Sequence, residues 1–232
     1  MDGTSNAGLD GQLATAKRNV SLLAVAQAIL GAAPPLAFSV GGLAGFQMLG
    51  ADKSLSTAPL TGFNVGIALG AIGVAAASRL LGRRESFMIG ALMGATGSAL
   101  AAFALIQSNF WLFVVALALM GLSAGFTQKI RFAAADASPN FYKGKAISWI
   151  LAAGIVSAIV GPQIAIWLKD SLAPVTFAGA FLGLVPLLLT AIGVLFFLKL
   201  PSLSVKTSAA HEPTRPLREI VMTQRFMTGM VC

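Results

Sequence analysis

Four side-chain amides lie inside long apolar stretches of this sequence: Gln27, Asn64, Gln128 and Gln163. Thr127 and Trp149 are their polar company at similar positions. An amide offers a carbonyl acceptor beside an N–H₂ donor, so it can hold a solute in a cavity or hydrogen-bond a neighbouring helix. Harder chemistry has no carrier. No Asp or Glu falls within an apolar stretch, Glu85 and Asp136 standing only at the ends; the single histidine is His211 and the single cysteine is the final residue, Cys232. A nucleophile with its base, a carboxylate pair, a metal cluster and a relay of buried carboxylates all need residues that are missing there. The expectation is therefore a protein that is not an enzyme, with no metal and no cofactor.

The charged residues gather in short loops. Arg79, Arg83 and Arg84 flank Gly82 in one of them, and Arg131, Asp136, Lys143 and Lys145 surround another. Asp136 is the one carboxylate placed to accept a nearby Arg or Lys. A net charge of +8 also raises nucleic-acid binding. That use needs basic residues gathered on a soluble face, whereas here they punctuate apolar runs, so a nucleic-acid partner is excluded.

The elements that must carry these groups follow from composition. Of 232 residues, 56% are hydrophobic and 10% charged, with a mean hydropathy of +0.83. A soluble domain carries about 25% charged residues. Six apolar segments stand out: Val20 to Phe46, Leu60 to Ala77, Ser86 to Ile106, Phe110 to Ile130, Ala146 to Leu168 and Val175 to Leu198. About 20 apolar residues in a helix cross a bilayer with every backbone group bonded internally. The fold class expected is an all-α integral membrane protein of six transmembrane helices, with the lipid bilayer as its first partner.

Fourteen of the sixteen Lys and Arg residues fall on one side of these segments, and only Lys53 and Lys169 on the other. The positive-inside rule then puts both termini in the cytoplasm. Glycines repeat at spacing four (Gly41/Gly45, Gly66/Gly70, Gly90/Gly94, Gly121/Gly125 and Gly179/Gly183), a pattern that lets helices approach closely in lipid. Pro34 and Pro35 in the first segment, Gly161 and Pro162 in the fifth and Pro186 in the sixth permit bends. The expected organisation is a cytoplasmic segment at 1–18, a bundle at 19–199, a cytoplasmic linker at 200–225 and the start of a truncated seventh helix at 226–232.

The loop Arg79-Leu80-Leu81-Gly82-Arg83-Arg84 is similar to the loop motif of the major facilitator superfamily, without that motif's acidic residue. The stretch from Arg131 through Asp136, Pro139 and Lys143-Gly144-Lys145 to Gly154 and Gly161-Pro162 resembles the same family's passage from helix four to helix five. Ser157 stands where the antiporter motif has glycine. The resemblance implies the N-terminal six-helix half of a secondary transporter, a multi-pass protein of the bacterial inner membrane moving a small organic solute by alternating access. It also implies that the loop charges latch one state, and that a missing C-terminal half or a second six-helix bundle completes the site. A non-transporting membrane scaffold or assembly subunit is the alternative that the glycine rows and the basic tail would also satisfy.

Overall fold

The computed structural model describes residues 3–50 and 53–198; the expected linker and seventh helix lie outside the described residues. Among the described residues eight α-helices follow one another: α1 Gly3–Leu30, α2 Ala33–Met48, α3 Ala58–Leu80, α4 Arg83–Ile106, α5 Phe110–Thr127, α6 Ile130–Asp136, α7 Lys143–Leu168 and α8 Ala178–Phe196. Among the described residues they form six helices long and apolar enough to cross a membrane, because α1 with α2, and α5 with α6, each make one span.

The break between α1 and α2 has a local cause. Pro34 and Pro35 bring no backbone N–H, so two carbonyls one turn earlier lose their partners. The chain turns at Gly31 and Ala32, and the prolines sit in the first turn of α2, where missing donors cost nothing. Gly31 N still donates to Gln27 O at 2.9 Å and Leu36 N to Ala32 O at 3.3 Å, so the span bends without unravelling. By contrast Pro162 lies inside α7, which is continuous on both sides of it.

Ends differ from the sequence expectation where turn chemistry intervenes. Helix begins at Gly3, ahead of the first span, which starts at Leu13 rather than Val20. The fourth span continues past Ile130 through α6 to Asp136. The sixth starts at Ala178 rather than Val175, since Phe177 adopts a left-handed conformation (φ 68°) and its N–H bonds back to Lys169 O at 2.7 Å. Asn109 caps α5 by accepting from Leu112 N at 3.1 Å, which stops α4 and restarts helix within three residues.

The core lies around α4 and α5. In their spans 56% of the central stretch is buried, against 22% for α3 and for α7, which therefore flank the bundle. Phe113 of α5 and Phe181 of α8 meet edge to face at 5.5 Å, both fully buried, in a core that also holds Met120, Leu184 and Leu188. Apolar burial does not hold helices together in lipid, so close backbone approach has to. The glycine rows supply it between α3 and α5: a methyl group on Gly66 or Gly121 would strike the backbone of Ala118 or Phe63, and one on Gly125 would lie 2.6 Å from Ile67 O. These two helices make the most extensive contact in the bundle although α4 separates them in sequence.

Candidate functional site

Gln27, near the end of α1, depends on the α1–α2 break for its place. Its carbonyl accepts from Gly31 N and also from Ser157 Oγ of α7, at 3.0 Å. Ser157 is 3% exposed and shares its hydroxyl proton between that carbonyl and Ala153 O at 3.1 Å. Nearby, a Cβ on Gly161 would meet Ala32 O at 2.5 Å, so this glycine lets α7 lie against the break itself. Pro34, Pro35, Gly161 and Pro162 thus belong to one junction between the first and fifth spans. Ser157 is the polar staple of that junction.

Beside it opens a cleft of about 150 Å³ lined by Gln27, Gln128, Arg131, Ile150, Leu151 and Gly154. Gln128 ends α5, and the short turn into α6 leaves both Gln128 and Arg131 exposed. Ile150 is buried in the wall, Leu151 is half-exposed, and the backbone at Gly154 has open space where a side chain would begin. Neither cleft amide has a side-chain hydrogen bond among the described residues, and Arg131, 5.3 Å from the Phe132 ring, has no ion pair among them. The cleft therefore offers two amides and a guanidinium over an apolar wall.

Of the four amides taken from the sequence, the structure brings together Gln27 and Gln128. Asn64 lies on an exposed face of α3 and donates to Leu60 O of its own helix at 2.8 Å. Gln163 is half-buried on α7, nine residues beyond Gly154, and does not line the cleft. Arg131, read from the sequence as a loop charge, lines it instead. Nothing in the sequence marks Ser157 as a partner of the Gln27 carbonyl.

The loop charges do not share one partner. Arg83, in the first turn of α4, pairs with Asp136 at the end of α6, 2.6 Å apart, with side chains 22% and 51% exposed. Arg84 lies 4.7 Å from the Phe196 ring, Arg79 is exposed in the last turn of α3, and Lys143 and Lys145 open α7. Gly82 takes φ 99°, ψ 164°, a region open in practice to glycine alone, and a Cβ there would lie 2.7 Å from Glu85 Oε2. Two further contacts have no signal in the sequence: Arg18 donates to Phe197 O at 3.3 Å, and Lys53, beyond the end of α2, donates to Phe46 O at 2.8 Å. Among the described residues no three His, Cys, Asp or Glu side chains gather to hold a metal.

Six apolar spans, a break in the first and a basic loop between the second and third accord with a family model, that of the Major Facilitator Superfamily, which matches residues 17–232. The chain belongs to the Major Facilitator Superfamily. It is 42% identical over 215 residues to the riboflavin transporter RfnT of Brucella anthropi, covering 93% of this chain and 54% of that protein. Two uncharacterized MFS-type transporters of Bacillus subtilis, YddS and YdeG, are each 26% identical, over 84% and 80% of this chain and 45% and 44% of their own lengths. The chain thus spans about half the length of the curated relatives it matches. Membership makes it an all-α, multi-pass membrane protein of a transporter family rather than an enzyme family.

Proposed function

We propose that this chain is the N-terminal half of a secondary transporter that moves riboflavin, or a flavin close to it, across the bacterial inner membrane. The observation that carries the reading is the 42% identity to RfnT, which runs through 93% of the chain and so includes the cleft, the break and the basic loops. Support from the site is chemical: a cleft with unengaged amides suits a solute rich in carbonyl and N–H groups. A second six-helix bundle, whether the C-terminal half of the same protein or another half, closes the site. The two bundles then expose it alternately to either side. The Arg83–Asp136 pair is partly exposed and worth roughly 1 kcal/mol or less, a size suited to a latch that must release. Both termini of the chain face the cytoplasm.

The test uses the natural full-length protein. Reconstituted in proteoliposomes, it should move labelled riboflavin down an imposed gradient, and it should restore growth at low riboflavin to a bacterium that neither makes nor imports the vitamin. Flux no greater than that of empty liposomes, from protein that is monodisperse and folded, would reject flavin as the solute.

A further inference from the structure

The cleft carries more information than its position. We infer that Gln27, Gln128 and Arg131 together read one flat edge of alternating carbonyl and N–H groups on a heterocyclic ring. For the solute proposed above, on which this inference rests, that edge is the imide of the flavin's pyrimidine ring.

A glutamine amide sets one acceptor and two donors side by side in a plane, so it meets a neighbouring N–H and C=O as a pair. Arginine supplies donors only, and so it can serve a further carbonyl but no N–H. Two amides and a guanidinium around one cleft therefore match an edge that contains both kinds of group. An anionic group fits less well, because it would use only the donor half of each amide and leave both amide oxygens without a partner. The absence of competing side-chain hydrogen bonds at Gln27 and Gln128 leaves their amides available for such pairing. Ile150 and Leu151 give the apolar wall against which a ring can lie, and Gly154 leaves the space in front of α7 open. Size agrees with a partial grip: about 150 Å³ is half or less of the roughly 300–1,000 Å³ that encloses a drug-sized molecule, room for one ring of a larger solute.

The discriminating probe is 3-methylriboflavin, in which a methyl group replaces the imide proton and nothing else changes. In competition with labelled riboflavin on the full-length protein in proteoliposomes, it should bind about 10–100-fold more weakly than riboflavin, as expected when the bound ring covers an amide and leaves it unpaired. Ribitol, which lacks the ring, should not compete. In Gln27→Ala or Gln128→Ala the preference for riboflavin over its methyl derivative should fall several-fold. Equal competition by the two flavins in the unaltered protein would overturn the inference without any variant having to fold. An undiminished preference in Gln27→Ala, Gln128→Ala and Arg131→Ala alike would overturn the assignment to these residues. Should the full-length protein move no riboflavin, the solute reading fails separately; binding of uracil against 3-methyluracil to the purified protein then decides the edge, discrimination supporting it and equal binding rejecting it.

Discussion

Replacing Gly121 by alanine tests what joins the second and fourth spans. A Cβ at this position would press into the Phe63 carbonyl, 2.8 Å from its carbon, and lie 3.1 Å from Gly66 Cα. These are backbone atoms of a neighbouring helix, so no rotamer change relieves them and α3 must move away from α5. Overfilling a packed contact costs about 1–3 kcal/mol. The comparison is Gly193→Ala on α8, where an added Cβ meets nothing within 4 Å. Both substitutions gain the same intrinsic helix preference, about 1 kcal/mol, which cancels between them. The gap between the two variants is thus the packing cost alone, about 2–12 °C in melting temperature at roughly 2–4 °C per kcal/mol. Heating the full-length protein in detergent and measuring the monodisperse fraction left at each temperature gives both midpoints. Midpoints that agree within about 1 °C would refute close glycine packing as the bond between these helices.

Three further outcomes are expected. Single cysteines introduced into an otherwise cysteine-free protein should react with an impermeant maleimide on intact cells at Lys169→Cys, and only after permeabilisation at Lys145→Cys; the reverse pattern would invert the topology. Arg83→Ala should cost no more than about 1 kcal/mol of stability, and a double-mutant cycle with Asp136→Asn should show a coupling that shrinks at high salt; a larger, salt-insensitive coupling would contradict the exposed geometry of the pair. Ser157→Ala removes the donor that α7 lends to the Gln27 carbonyl, and should lower stability by about 0.5–1.5 kcal/mol while raising the KM for solute; unchanged values of both would show that the staple does not position Gln27.

The spans were legible because length and hydropathy are properties of contiguous residues. Val20 to Phe46, for instance, falls wholly within the span Leu13–Met48, and the Pro34–Pro35 pair announced the break next to it. The ends were less legible: Phe177 turns left-handed through a bond to Lys169 that hydropathy does not register. Glycine spacing pointed to close packing but not to partners, since a row of small residues says nothing of which helix will lie in it. For the cleft, residue type pointed to Gln27 and Gln128, which line it, but pointed equally to Asn64 and Gln163, which do not. Only the bend at Gln128 and the staple from Ser157, 130 residues from Gln27, separate the first pair from the second.

The pairing of α3 with α5 also sets an order on biogenesis. A ribosome adding roughly 5–20 residues per second needs about 2–10 s to pass from Leu80 to Thr127, and during that interval the glycine face of α3 has no α5 to receive it. Although α4 emerges next, joined to α3 by the two-residue turn at Leu81 and Gly82, the two touch far less in the finished bundle. The nascent chain must therefore keep the second span parked in lipid or at the insertion machinery while the third passes, then slot the fourth against it. Slower elongation between Gly82 and Thr127 lengthens the interval for which that groove stands without its partner.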